Sequence, residues 1–238
     1  MRRAWEFLTT FFSNKKIAAI TQQLDNLRQY GARSLDDFDL TQPVRHPTPT
    51  EVRGLATGAI LFFWGDRPIK ILPRLKPEPL AEAKAATAEW WGIQSTAEAL
   101  DTLQWLRQEG HRHDFHDRLK RESLRWHGLF ATHPFLKNRA VTSVAAWDYG
   151  RMVNVARWCY DYGYLSWEQA WELIDAGTRL ALREYDSWES FAAGFLAGRL
   201  LWNPDREDHA DLADVASYLL ERRVGMWHDI AWQPYPVA

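Results

Sequence analysis

Residues 144–162 read VAAWDYGRMVNVARWCYDY and carry the clearest helical pattern of the chain. Large apolar and charged side chains recur there at steps of three and four, which is the spacing of one face of an α-helix. This face holds Val144, Trp147, Asp148, Arg151, Val155, Trp158 and Tyr162. Gly163 follows and is a natural helix end, because glycine readily adopts the left-handed conformation that closes a helix.

The same spacing predicts helices on both sides of this one. Capping boxes at Ser95 with Glu98 and at Ser166 with Gln169 mark two helix starts, since each side chain can satisfy a free amide of the other. The predicted helices cover residues 4–31, 51–64, 80–91, 95–110, 113–130, 166–185, 186–202 and 208–223. No segment alternates with period two for long, although residues 69–72 suggest a short strand. The fold class is therefore all-α, a multi-helix bundle.

The prolines divide the chain. Seven of the eleven lie between Pro43 and Pro79, and none interrupts the long helical patterns that follow. We expect one helical domain over residues 1–238, with a less regular part at 1–79 and a helical core at 80–223. Within the first part, residues 43–79 form a proline-rich irregular segment. Residues 224–238 are expected to form an extended tail.

Composition excludes several classes of protein. The formal net charge of −2 does not suit a protein that binds nucleic acid over its whole surface. The single cysteine rules out an internal disulfide framework and fits a reducing compartment. No apolar run approaches the ~20 residues that span a bilayer. We expect a cytoplasmic protein without a membrane span.

Two sets of short motifs bear on the family. The first set is Trp91-Gly92-Ile93 with Gly110-His111-Arg112. The second runs through Ala146-Trp147-Asp148-Tyr149-Gly150-Arg151, Ala156-Arg157-Trp158, Gly163-Tyr164, Glu168-Gln169-Ala170-Trp171, Ser187-Trp188-Glu189, Gly198-Arg199 and Trp202. Their order and spacing resemble a bacterial family catalogued as domain of unknown function 1266. The resemblance implies a bacterial origin and carries over no catalytic residue.

Charged residues on apolar helix faces form the main candidate site. Asp148 and Arg151 share a face with tryptophan rings, and Arg199 lies beside the apolar face of the helix at 186–202. Charges in such positions must be paired if they are buried. We predict a salt bridge from Asp148 to Arg151 or to Arg199. The cluster is either an ion-pair network that fixes the helices or a site that binds an anionic group through arginine.

Other reactive side chains give weaker signals. Five histidines follow one another in the middle of the chain, namely His111, His113, His116, His127 and His133. Only His113 and His116 have the helical spacing that a shared metal ion needs, so we predict no metal site and no cofactor. Cys159 is expected to be a buried structural residue rather than a nucleophile. Trp227 and Trp232 in the tail are predicted to be exposed and to form a protein interface.

Two functions of different classes remain open. One is a non-enzymatic module that recognises a still unidentified protein, and an immunity or adaptor protein of a secreted-toxin system is one such role. The other is an enzyme with an all-helical active site around Asp148, Arg151 and Arg199, with His111 as a further candidate. An enzyme should have a concave pocket in which these charges meet. An interaction module should bury and pair them and expose aromatic rings. The sequence does not give the oligomeric state.

Overall fold

A computed structural model describes residues 18–122, 124–221 and 225–233 of the chain. It is 65% helical, which confirms the all-α prediction. The helices are α1 (18–30), α2 (Pro49–Thr57), α3 (Ala59–Trp64), α4 (Pro77–Trp91), α5 (Thr96–Gln108), α6 (Arg112–Arg121), α7 (Leu124–Ala131), α8 (Ala146–Asp161), α9 (Trp167–Glu184), α10 (Trp188–Trp202) and α11 (His209–Leu220). Residues 4–17 of the first predicted helix lie outside the described residues.

Both predicted capping pairs start helices. Ser166 and Gln169 form a full capping box at α9. Ser95 accepts a hydrogen bond from the backbone of Glu98 at the start of α5. A third box, formed by Ser187 with Ser190, opens α10. Local side-chain chemistry therefore sets these helix starts, and the boundaries agree with the sequence within a few residues.

The predicted helix at 51–64 is broken into α2 and α3 at Gly58. A Cβ atom on Gly58 would lie 2.6 Å from Nδ2 of Asn154 and 2.9 Å from Val153 of α8. The side chain of Asn154 also donates a hydrogen bond to the Gly58 carbonyl at 3.1 Å. The break thus lets the backbone approach α8 closely, a tertiary contact that periodicity does not reveal.

The predicted helix at 113–130 is likewise two helices, α6 and α7. Each buries its own apolar residues, Phe115 in α6 and Trp126 and Phe130 in α7. The predicted strand at 69–72 is also displaced. The two-stranded sheet pairs β1 (Phe38–Asp39) with β2 (Arg74–Leu75). Within residues 69–72, Leu72 forms an isolated bridge with Arg45 outside that sheet.

The tail is not fully extended. Its described residues, 225–233, include a 3-10 helix at Met226–Asp229 that packs on α11. No helix among the described residues is long and apolar enough to cross a membrane.

Helix α8 is the centre of the structure. It packs against α2, α3, α5, α9 and α10, and all of its residues except Trp158 and Tyr160 are buried. A helix that is buried on every side normally carries apolar residues all round. This one instead carries polar side chains at steps of three and four, namely Asp148, Arg151, Asn154, Arg157 and Asp161.

Candidate functional site

The side chain of Asp148 caps the N-terminus of α6. Its carboxylate accepts hydrogen bonds from the backbone amides of His111 and Arg112, at 3.0 and 2.8 Å. Free amides and the positive end of the helix dipole favour a negative charge at such a place. The side chain of Asp148 is fully buried and also pairs with Arg112 at 3.3 Å and with Arg151 at 2.8 Å. The predicted ion pair between Asp148 and Arg151 is therefore present.

Gly110 makes this arrangement possible. It has φ +58°, a conformation that strains residues with a Cβ atom. A Cβ atom there would also overlap the carboxylate of Asp148. The glycine lets the chain turn sharply between α5 and α6, so that the amides of His111 and Arg112 point toward α8.

Hydrogen bonds, an ion pair and aromatic rings fix the side chain of Arg151. Its Nε donates to the carbonyl of Trp147 at 3.0 Å, and its Nη2 bonds Asp148. The guanidinium lies over the indoles of Trp147 and Trp91, 4.2 and 5.2 Å from the ring centroids. Burial lowers the pKa of Arg151 to about 10, and the positive charge of Arg199 adds to the lowering. Arg151 remains a cation at neutral pH.

Arg199 has a different partner from the one that the sequence suggested. Its Nη2 donates to both oxygens of Asp208, at 2.7 and 2.6 Å, and not to Asp148. Asp208 lies between α10 and α11, so its position depends on the path of that connection. The guanidinium lies over the rings of Trp147 and Trp202, at 5.5 and 5.1 Å. Its Nε is buried without a hydrogen-bond partner.

A cavity of about 720 Å³ opens beside these arginines. Seven tryptophans line it: Trp64, Trp90, Trp91, Trp105, Trp147, Trp158 and Trp202. Four arginines join them: Arg67, Arg151, Arg199 and Arg206. His111, Thr102, Leu61 and Gly65 complete the described lining, which contains no acidic side chain. Most of the rings stand at helix ends, where α3, α4 and α10 finish and α8 begins.

The lining changes from buried to exposed across the cavity. Trp147, Arg151 and Arg199 are 3%, 4% and 6% exposed, and we call these three residues the floor. Trp64 and Trp90 are 41% and 62% exposed, and we call them the rim. Arg206 lies over the Trp90 ring at 5.8 Å. The floor is thus a rigid cationic surface, and the rim is aromatic.

Positive charge is in excess around the cavity. The aspartates that pair with its arginines, Asp148, Asp161 and Asp208, lie behind the lining. Asp208 also pairs with Arg206, and Asp148 also pairs with Arg112. These three carboxylates therefore pair with five guanidinium groups. Because these carboxylates lie outside the lining, they neutralise only part of the positive potential inside the cavity.

His111 lies in the lining, between Trp105 and Phe115. Burial lowers the pKa of its imidazole, and the charge of Arg151 lowers it further. This histidine is therefore neutral at pH 7. His113, His116 and His127 are exposed, whereas His133 is buried and bonds Asp214 at 3.0 Å. In the described ranges no three potential ligands are grouped to hold a metal ion.

The predicted exposure of Trp227 and Trp232 is wrong, because both rings are buried. They are 2% and 8% exposed. Trp227 stacks on Trp188 with the ring centroids 4.8 Å apart, and Trp232 lies perpendicular to Trp188 with the centroids 4.7 Å apart. Their indole nitrogens donate to the carbonyls of Ala56 and Tyr185, each at 2.9 Å. The tail folds back over α10, which its position near the chain end did not suggest.

The tryptophans of α8, α9 and α10 differ in exposure. Trp147 and Trp188 are buried. Trp158, Trp171 and Trp202 pack on the core but are only partly buried. Two of these three, Trp158 and Trp202, are partly exposed because they line the cavity. Cys159 is fully buried, and burial raises the pKa of its thiol to about 12, in agreement with a structural role.

The sequence patterns did not identify Arg157 and Asp161, at the C-terminal end of the polar face of α8, as candidate site residues. Arg157 is fully buried, and none of its three guanidinium nitrogens has a hydrogen-bond partner in the structure. It lies over the ring of Phe62 at 4.5 Å. Asp161, one turn further on, pairs with Arg67 at 3.2 Å, and Arg67 lines the cavity. Extending the face from Asp148 and Arg151 in steps of three would have found Arg157.

Comparison with known proteins supports the family resemblance. Residues 117–232 match a family model described as "Protein of unknown function (DUF1266)". The resemblance is confirmed over those residues. They contain the second set of motifs, including Asp148, Arg151 and Arg199, whereas the first set, with Gly110 and His111, precedes them.

One relative is similar over a shorter stretch. The chain is 33% identical over 69 residues to the uncharacterized protein YbeR of Escherichia coli (strain K12). This stretch spans 29% of the chain and 29% of the relative's length. No solved structure matches the chain.

Proposed function

We propose that the chain is a binding protein for a small anionic ligand, which occupies the cavity and contacts the arginines of the floor. One observation carries the proposal: four arginines and no acidic side chain stand in the described lining. Charged groups with low-dielectric walls concentrate their field in a cleft and attract ions of the opposite sign.

The floor arginines keep donors free for such a ligand. Nη1 of Arg151 and Nη1 of Arg199 make no hydrogen bond within the described residues, while the neighbouring nitrogens hold the two guanidinium groups in place. Arginine binds carboxylate and phosphate oxygens through this kind of planar donor group. Burial lowers the pKa of Arg151, and repulsion from Arg199 lowers it further. An anion near both arginines would offset that repulsion.

Buried donors without partners give further support. The ring nitrogens of Trp147 and Trp158 and the Nε of Arg199 are buried and lack an acceptor, and all three residues line the cavity. A buried donor without a partner costs ~1–3 kcal/mol. These nitrogens have no exposed surface, so an oxygen acceptor in the cavity would recover part of that cost once the side chains rotate toward it.

Binding rather than catalysis is the function that the lining supports. The described lining has no carboxylate and no thiol, and the hydroxyl of Thr102 makes no hydrogen bond to His111 that would activate it as a nucleophile. The alternative role as a protein-interaction module drew part of its support from exposed rings at Trp227 and Trp232, and those rings are internal.

The test is calorimetric titration with a matched pair of probes, naphthalene-2-sulfonate and the uncharged naphthalene-2-sulfonamide. The sulfonate should bind at least about tenfold more tightly, because a hydrogen bond to a charged group contributes ~1.5–3 kcal/mol. Arg199→Gln should remove most of that preference. Arg179→Gln is the control, since it makes the same charge change at an exposed pair with Asp175 outside the cavity.

Equal affinity for the sulfonate and the sulfonamide would contradict the proposal. So would a similar loss of affinity in Arg179→Gln and Arg199→Gln, because that result would place the effect in the overall charge of the protein.

A further inference from the structure

The apolar part of the cavity is made of aromatic rings. Seven tryptophans line it, and Leu61 is the sole large aliphatic side chain among the described lining residues. A site for a fatty chain would be lined by leucine, isoleucine, valine or methionine, whose shapes follow a flexible chain. Rigid indoles instead present flat surfaces, which gain most from a flat partner.

Two other kinds of ligand that use tryptophan do not fit this lining. Aromatic cages for quaternary ammonium groups depend on attraction between a cation and the rings, and Arg151, Arg199 and Arg206 would repel such a ligand. Neutral sugars have many hydroxyl donors that need acceptors. The described lining has no carboxylate and no carboxamide side chain to accept those hydrogen bonds.

The order of burial orients the ligand. Floor residues Arg151 and Arg199 are nearly inaccessible, so a charged group that reaches them must lie at the inner end of the cavity. The rim rings of Trp64 and Trp90 are the most exposed part of the lining. A large exposed indole that covers no core gives little stability to the fold, whereas beside a ligand it adds a stacking surface.

We infer that the cavity takes planar aromatic anions, such as aryl carboxylates, with the anionic group on the floor and the flat ring system between the rim tryptophans. This inference rests on the proposed function, since it names the class of anion. Arg206, which lies over Trp90, orders that ring at the rim.

The experiment compares three probes of nearly the same size by calorimetry at pH 7.5. They are 2-naphthoate, decahydro-2-naphthoate and the uncharged 2-naphthamide. 2-Naphthoate should bind about tenfold more tightly than its saturated counterpart, which corresponds to ~1.4 kcal/mol. Trp90→Leu should abolish that ratio and Trp90→Phe should keep most of it. Trp90 is 62% exposed, so these changes leave the core intact, and Leu124→Ala, at an 82% exposed position outside the cavity, is the control.

Each outcome separates the two proposals. Equal affinity for 2-naphthoate and decahydro-2-naphthoate would overturn the aromatic class and leave anion binding in place. Equal affinity for 2-naphthoate and 2-naphthamide would overturn anion binding and leave the preference for rings. If neither naphthalene compound binds with a dissociation constant below about 1 mM, both proposals fail.

Discussion

The guanidinium groups of Arg151 and Arg199 lie over the same indole, that of Trp147, at 4.2 and 5.5 Å from its centroid. Each is fixed by its own aspartate, Asp148 or Asp208. The charges therefore form two separate ion pairs, and both guanidinium groups lie over one aromatic ring. The sequence instead suggested one cluster centred on Asp148. The ring keeps the two cations close together at the floor of the cavity.

Anion affinity should increase as pH falls, through His111. Burial and Arg151 hold the pKa of this imidazole below its ordinary value, so it is neutral at pH 7 and gains a proton in more acidic solution than an exposed histidine does. The added charge attracts the ligand, and ligand binding in turn raises the pKa of His111. Affinity for naphthalene-2-sulfonate, which stays ionised, should increase about threefold to tenfold between pH 7.5 and pH 5.

The control for this effect is His111→Asn, which cannot take up the proton. Calorimetric titrations of this variant at the same pH values should give a nearly constant affinity. A variant that keeps the full pH dependence would show that another group is responsible.

Removing the carboxylate of Asp148 should destabilise the fold. Asp148→Ala leaves two amides of α6 without an acceptor and Arg151 without its partner, in a fully buried place. The expected loss in the free energy of unfolding is ~3–5 kcal/mol. Asp175→Ala removes a surface pair with Arg179 and should cost less than about 1 kcal/mol. Urea unfolding measures both, and a stable Asp148→Ala protein that fails to bind anions would assign Asp148 to the site instead of the fold.

A methyl group at Gly110 should be more harmful than one at Gly92. Both glycines have positive φ, so alanine costs about 1 kcal/mol at either position. At Gly92 a Cβ atom has no neighbour within 4 Å, whereas at Gly110 it would overlap the Asp148 carboxylate. Gly110→Ala should therefore lose about 1–3 kcal/mol more than Gly92→Ala in urea unfolding. Equal losses would mean that the contact between Gly110 and Asp148 does not constrain the structure.

Arg157 should be replaceable by an apolar residue. Its guanidinium is buried without a hydrogen bond, and burial lowers its pKa to about 10, an effect that the charge of Asp161 offsets in part. Asp161 keeps its direct pair with Arg67 when Arg157 is replaced. Arg157→Met should have a free energy of unfolding within about 1 kcal/mol of the wild type, or higher. Arg151→Met should lose several times more, because it leaves the charge of Asp148 with one partner fewer. A loss of ~3–5 kcal/mol in Arg157→Met would reveal a partner such as bound water.

The sequence predicts much of the helical framework, because capping residues and apolar spacing act locally. The capping box of Ser166 with Gln169 is an example. The sequence also predicts the pair of Asp148 and Arg151, because both lie on one helix. It does not predict the partner of Arg199, since Asp208 reaches it through a connection without regular structure. The sequence does not predict the cavity either, because rings such as Trp91 and Trp202 come from the ends of helices that are distant in sequence.

The most direct measurement is a crystal structure with 6-bromo-2-naphthoate bound, located by the anomalous scattering of bromine. We predict one strong bromine peak between Trp64 and Trp90, with the carboxylate within hydrogen-bond distance of Arg151 and Arg199. A bromine peak at the floor, or an occupied site elsewhere with this cavity filled by water alone, would contradict the account.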